Sequence, residues 1–283
     1  MLSQAEKGRM FRDLHHQQRS FLIPNPWDAG TARLLEWLGF SALASTSAGY
    51  AFSQGVPDTR VSRDQVIHHL ADLTAATDLP INADLENGFG DSPDAVAETI
   101  RLAAAAGVVG ASIDDTTSLA NRPLHERGLA TERIRAAVEA ARGLNFPFTL
   151  TARADNYMVG RSDLHDTIAR LQAYQDAGAD VLFAPGLKTR EEIAAVVGSV
   201  DRPVNVMMGF TDLDLSVAEL TDLGVKRVST GGSLARAALG AFLRASRELR
   251  DTGTFSYAHD AVSFKEITEM LQQASLHKKT SVN

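Results

Sequence analysis

The sequence contains no cysteine, which removes disulfides, zinc–thiolate sites and cysteine nucleophiles in one step. It has no run of about 18 apolar residues, so no segment is expected to span a membrane. The first twenty residues, MLSQAEKGRMFRDLHHQQRS, are polar and lack the apolar core of a secretory signal. A cytoplasmic protein is the expectation. Positive charge is in deficit: 28 Lys and Arg stand against 35 Asp and Glu, for a net charge of −7. That balance argues against nucleic acid or an anionic membrane as partner. It leaves an anionic small molecule open, because a metal ion or an arginine can make one pocket locally positive. Histidine clusters are missing too. His15–His16 and His68–His69 are adjacent pairs, and neighbours on a helix diverge by about 100°, so neither pair chelates well.

What is present is a regular alternation of short β-type runs and longer helical patterns over 283 residues. The strand candidates are Ser20–Pro24, Ala42–Thr46, Ile81–Asp84, Ala111–Asp114, Phe148–Arg153, Val181–Ala184, Val204–Met207 and Arg227–Thr230. Helical patterns fall at Ala29–Leu38, Arg63–Thr77, Pro93–Ala106, Glu132–Arg142, Leu164–Ala177, Arg190–Val197, Val217–Leu223 and Leu234–Arg250. Runs such as VLFA and VNVMM are apolar throughout, as strands buried on both faces must be. Gly39, Gly107, Gly178 and Gly224 sit just past helices, where glycine serves as a left-handed cap. Ser92, Thr131 and Thr189 are placed as N-caps.

Eight β–α units with no linker predict a single-domain (β/α)8 TIM-type barrel over residues 20–250, with a doubly wound sheet as the alternative. A further helix at residues 261–274 carries one apolar stripe (Val262, Phe264, Ile267, Met270, Leu271). Packing on its own barrel and docking on a neighbouring subunit are both open to it.

In barrels of this kind the active site lies at the C-terminal ends of the strands. The third strand ends in Asp84-Leu85-Glu86-Asn87-Gly88-Phe89-Gly90. Side-chain alternation there turns Asp84 and Glu86 to one side. The fourth strand ends in Asp114-Asp115, so three or four carboxylates are expected on one rim. Like charges so close need a proton or a cation between them. Oxygen ligands without cysteine suit a hard ion, Mg²⁺ before Mn²⁺. Arg153, at the end of the fifth strand, can bind a substrate carboxylate bidentately or pair with Asp155 or Asp114. Gly231-Gly232-Ser233 reads as a plain strand–helix turn more than a phosphate site.

The ordered set Pro24-Asn25-Pro26-Trp27-Asp28-Ala29, Ser45-Thr46-Ser47-Ala48-Gly49, Gly55-Val56-Pro57-Asp58, Asp84 to Gly90, Ile113-Asp114-Asp115 and Ala152-Arg153 resembles the isocitrate lyase/phosphoenolpyruvate mutase superfamily. The resemblance implies a barrel that binds Mg²⁺ and a 2-oxo or dicarboxylic acid. It implies Asp84 as direct metal ligand, with Glu86 and Asp114 holding metal-bound waters and Asp58 nearby on a loop. Ser47, Ala48 and Gly49 would meet substrate oxygens, Arg153 its carboxylate, and Trp27 would line the pocket. The resemblance also implies a homo-oligomer, dimer or tetramer, with the last helix exchanged between subunits.

Two departures stand out. The superfamily usually has Asp at Glu86 and Glu at Asp114, so each carboxylate moves by one methylene, about 1.5 Å, in opposite senses. The loop Thr116–Gly128 lacks the cysteine and lysine of the lyase members and, Asn121 apart, the signature of the phosphonate mutases. The parts that remain suit a carbon–carbon lyase or decarboxylase acting on an oxaloacetate-like 2-oxo acid through an enolate. A phosphonopyruvate-type carbon–phosphorus enzyme and a non-catalytic 2-oxo-acid-binding protein are the alternatives.

Overall fold

A computed structural model describes residues 2–117, 119, 121 and 123–280, with backbone alone for 275–280. The strands are β1 Phe21–Ile23, β2 Leu43–Ala44, β3 Ile81–Asp84, β4 Gly110–Asp114, β5 Thr149–Arg153, β6 Val181–Phe183, β7 Val204–Met207 and β8 Arg227–Ser229. Each end falls within one residue of its expected position, except that β2 stops two residues before Thr46. They pair in parallel in the order β1-β8-β7-β6-β5-β4-β3-β2. The remaining seam, between β1 and β2, is joined by the Ala44 N–H donating to Pro24 O at 3.1 Å. Eight parallel strands and flanking helices make the (β/α)8 barrel. Its staves are buried on both faces along β4, β6 and β8, which is why their sequences show no polar alternation.

The helices are α1 Gln4–Leu14, α2 Ala29–Trp37, α3 Ser47–Ser53, α4 Arg63–Ala76, α5 Pro93–Ala105, α6 Arg127–Arg142, α7 Leu164–Asp176, α8 Arg190–Gly198, α9 Val217–Asp222, α10 Ser233–Thr252 and α11 Phe264–Thr280. The glycines expected to end helices all have positive φ, from 85° at Gly39 to 100° at Gly107 and Gly178. Ser92 and Thr189 cap as expected. Thr131 does not. α6 begins at Arg127, so Thr131 is already inside it and its hydroxyl donates back to Arg127 O at 2.8 Å. The early start follows from the His125 N–H being tied to Asp115 O at 2.9 Å.

Two helices were not expected. α3 is a short helix after β2, begun by the Thr46 hydroxyl accepting from Gly49 N–H at 3.2 Å. α1 is started by a Ser3–Glu6 capping box and closes the N-terminal end of the barrel. Its Phe11 is fully buried and meets His15 and Phe21 edge-on. The His15 ring contacts Phe11 O through Nδ1 at 2.8 Å and Arg227 Nη1 through Nε2 at 3.4 Å. At the other end of the chain α11 packs on α2, where Trp37 Nε1 donates to Gln273 Oε1 at 2.9 Å. Of its expected stripe, Ile267, Met270 and Leu271 are half-buried, whereas Val262 and Phe264 are exposed.

Candidate active site

The C-terminal ends of β2, β3, β4 and β5 gather the expected acids, but not by the expected route. β3 stops at Asp84. Its N–H donates to Ser45 Oγ at 2.8 Å, and its carboxylate accepts from the Ser47 N–H at 3.1 Å. The chain then leaves the pleat: Glu86 has φ 49° and Phe89 φ 58°. Strand alternation therefore does not bring Glu86 beside Asp84; a left-handed turn does. Left-handed backbone costs a non-glycine residue energy and persists only where the surroundings enforce it. Arg133 of α6 supplies that enforcement, buried beneath the turn and donating to Asn87 O and Gly90 O. Nothing in the sequence marks Arg133 for this role.

Charge at this rim is strongly unbalanced. Burial, then Asp84, Asp58 and Asp114, push Glu86 up to about 8, and its Oε1 is buried without a hydrogen-bond partner among the described residues. Asp58 is likewise raised by burial and by Asp84, with the Ser47 hydroxyl pulling the other way. Asp114 is held by the Thr116 N–H at 2.9 Å and hydroxyl at 2.6 Å. Two buried guanidiniums feel these acids, Arg133 beneath the turn and Arg153 beside Asp84. Arg153 grips Asp155 through Nε and Nη2 at 2.5 and 2.9 Å, lies over the Phe183 ring, and turns Nη1 toward Asp84 at 3.9 Å. Burial opposes its charge, but Asp155, Asp114 and Asp84 outweigh it and hold the guanidinium firmly protonated.

Asp115 is not a member of this group. Pleating turns it to the opposite face of β4, where it accepts from Tyr174 Oη at 2.6 Å, Arg170 Nη1 at 3.1 Å and the Asp155 N–H at 2.9 Å. This buried network fixes the backbone of the residue that orients Arg153. Asn25, whose role the sequence did not reveal, does the same across the barrel seam. Its amide donates to Ser45 O at 2.8 Å, and its carbonyl accepts the Thr230 and Gly231 N–H groups, both at 2.9 Å. The Gly231–Ser233 segment is thus held as a turn.

Other expected residues lie around the rim rather than in it. Ser47 is at the site through both its N–H and its hydroxyl. Ala48 faces Gly232. Gly49 is buried, and a Cβ there would meet Thr46 Cγ2 at 2.6 Å and Trp27 Cβ at 3.0 Å, so close packing already accounts for the glycine. Trp27 lines grooves beside α3, one against α4 and one against α10, not the central cavity. That cavity, about 40 Å³, is walled by Asp84, Arg153, Asn25, Ser45, Ser112 and Asn205 among others. A larger one, about 610 Å³, opens beside Glu86.

The donor set suits a divalent ion in a particular way. Among the described residues no three His, Asp or Glu side chains form a ready-made cage. The carboxyl pushed up at Glu86, with an orphaned oxygen, calls instead for positive charge nearby. A hard divalent cation held by these carboxylates would meet that need.

The sequence profile of the phosphoenolpyruvate phosphomutase family matches residues 11–250. The chain belongs to the isocitrate lyase/phosphoenolpyruvate mutase superfamily. This superfamily member is 30% identical to a 2-methylisocitrate lyase of Halalkalibacterium halodurans over 259 residues, covering 89% of this chain and 85% of that one. It is 29% identical to an oxaloacetate decarboxylase of Paraburkholderia xenovorans LB400 over 286 residues, covering 95% and 90%. A crystal structure from Burkholderia cenocepacia J2315, provisionally designated a lyase/mutase, superposes with a TM-score of 0.92 at 61% identity, covering 94% of this chain and 95% of that one. Relatives of this superfamily member are lyases and mutases, and it is an enzyme of that kind.

Proposed function

We propose that the protein is a Mg²⁺-dependent carbon–carbon lyase or decarboxylase acting on a small 2-oxo acid of the oxaloacetate type. The observation that carries this reading is the unbalanced acid cluster at the ends of β3 and β4, with the orphaned Glu86 oxygen near Arg153. Its relatives include an enzyme named for decarboxylating oxaloacetate. Asp84 would ligate the ion directly and Glu86 and Asp114 would hold it through its waters, with Mn²⁺ as the alternative ion. The bound ion supplies Lewis-acid stabilisation of negative charge on the 2-oxo oxygen.

The chain's own groups do the rest. Arg153 offers Nη1 to the substrate carboxylate while Asp155 fixes its plane. Ser47 and Asp58 bound the opposite side. When the bond between C3 and the leaving carboxylate breaks, its electron pair stays on the oxo acid as the enolate and CO₂ departs. A proton from water then adds at C3 and restores the ketone at C2. No cysteine is required, in keeping with the composition. A dimer or tetramer in the cytoplasm completes the reading.

The test is a screen of 2-oxo and 2-hydroxy dicarboxylates with Mg²⁺, following CO₂ and pyruvate, for the parent and Asp84→Ala. Turnover that chelation abolishes, and that the variant reduces at least a hundredfold or so, is expected. Mg²⁺ should also raise the Tm of the parent but not of the variant. No turnover together with no Mg²⁺-dependent rise in Tm refutes the proposal. Phosphate release from phosphonopyruvate without CO₂ from oxaloacetate would replace it with the carbon–phosphorus reading.

A further inference from the structure

One layer below the acid cluster the inside of the barrel is polar. Side chains two residues apart on a strand point the same way. Two residues before Asp84, Asp114, Arg153, Met207 and Ser229 stand Asn82, Ser112, Thr151, Asn205 and Arg227, all five buried. Barrels of this kind fill such layers mainly with Val, Ile and Leu, so polar side chains from β3, β4, β5, β7 and β8 at one level need a reason.

Arg227 supplies it. The residue is 3% exposed. Its Nε donates to Asn205 Oδ1 at 2.9 Å and its Nη2 to Thr151 Oγ1 at 3.0 Å, while Nη1 faces His15 Nε2 at 3.4 Å. All three partners are neutral, His15 being kept so by burial. The other buried arginines have acids: Arg153 grips Asp155, Arg170 grips Asp115, and Arg133 feels Asp114 and Asp91. Among the described residues Arg227 forms no ion pair, and burial acts on it unopposed, lowering it to about 9. A buried charge without a counter-charge is costly to a fold. Two of the five guanidinium N–H groups remain without an acceptor among the described residues.

Space lies against this guanidinium. Arg227 walls the central cavity of about 40 Å³, together with Asn82, Ser112, Asn205 and Ser229. That volume admits about three water-sized atoms and no organic acid. Asp84 and Arg153 close its upper end, but neither is among the groups that act on Arg227. Two further polar groups face no partner of their own. Asn82 Oδ1 is buried without one among the described residues, and the Ser229 hydroxyl, which accepts from Asn205 Nδ2 at 3.0 Å, keeps its proton to donate.

We propose that the floor of this cavity binds one small monovalent anion of the halide class, held by the remaining N–H groups of Arg227 as the counter-charge of the buried guanidinium. The inference does not depend on the reading under Proposed function, since it concerns what lies beneath the acid cluster and not what reacts at it.

Bromide is the probe. Calorimetry in sodium bromide, against sodium gluconate of equal ionic strength, reads the Tm of the parent, Arg227→Met and Asn205→Asp; gluconate is too large for the cavity. Bromide well above its dissociation constant should raise the parent's Tm by about 3 °C or more. Asn205→Asp is nearly isosteric and sets a carboxylate on the guanidinium at the existing 2.9 Å contact. In gluconate it should already melt above the parent, and bromide should move it by less than about 1 °C. Arg227→Met should not respond either; should it fail to fold, the comparison with Asn205→Asp stands alone. Parent crystals in bromide should show an anomalous peak beside Arg227 that Asn205→Asp lacks. No bromide response in the parent, or the same response in Asn205→Asp, overturns the inference. So does density beside Arg227 without anomalous signal, which is water. Neither readout uses turnover, so failure here leaves the functional reading standing.

Discussion

Lowering the pH from 7.5 to 5.0 tests how the floor of the barrel is held. His15 is buried at the end of α1, with Nδ1 2.8 Å from the Phe11 carbonyl and Nε2 3.4 Å from the Arg227 guanidinium. The carbonyl requires a proton on Nδ1, so Nε2 must accept, and a second proton would face a buried cation. Burial first, and Arg227 second, accordingly lower the histidine from 6.5 to about 3. The folded state keeps the ring neutral while the unfolded chain protonates it below pH 6.5. The stability contributed is therefore fully present above 6.5 and is lost as the pH falls toward 3. Each pH unit below 6.5 is worth about 1.4 kcal/mol, so pH 5.0 removes about 2 kcal/mol.

The assay is urea unfolding of the parent and His15→Gln at both pH values. Glutamine can still donate to Phe11 O and accept from Arg227, but it does not titrate. Other displaced groups, His69 and Glu86 among them, contribute equally to both proteins and cancel in the difference. The parent is expected to lose about 2 kcal/mol more than the variant. Equal losses refute the argument, and so does an NMR titration of His15 near its ordinary value.

The remaining predictions concern the supports of the site. Tyr174→Phe removes a 2.6 Å hydrogen bond to the Asp115 carboxylate, which should cost about 2 kcal/mol and lower the Tm by roughly 4–8 °C; calorimetry checks it. Gly49→Ala places a methyl 2.6 Å from Thr46 Cγ2, and overpacking of this kind should cost about 1–3 kcal/mol, read by urea unfolding. Arg133→Met takes the donors from Asn87 O and Gly90 O; titration should show Mg²⁺ binding weakened about tenfold or more, with Arg133→Lys recovering part of it.

The barrel was legible because its signals are local and repeated. Eight apolar runs and the glycines after helices, such as Gly107 and Gly178, need no knowledge of what lies across the fold. The acid cluster was legible for a related reason: Asp84, Glu86 and Asp114 sit where adjacent strands end, and topology brings such ends together. Side-chain direction was harder. Strand alternation gave the right neighbour for Asp84 by the wrong mechanism, because Glu86 lies in a left-handed turn that depends on Arg133, 47 residues further along. Whether Asp115 made a fourth was left open because its partners Arg170 and Tyr174 sit on α7, a tertiary fact with no local pattern. The helix α1 could have been read: Ser3 and Glu6 form the capping box that announces it.

Closure of the barrel joins the two ends of the chain. The Ser20 hydroxyl reaches Val225 O, Asn25 holds the turn after β8, and Arg227 meets His15, contacts spanning 205, 206 and 212 residues. None of them can form on the ribosome until translation has passed β8. Until then β1 lacks the stave beside it, and backbone donors and acceptors on that edge stand open to other nascent chains. For this protein the hazardous interval in synthesis is the one that ends when β8, a single short strand, completes the ring.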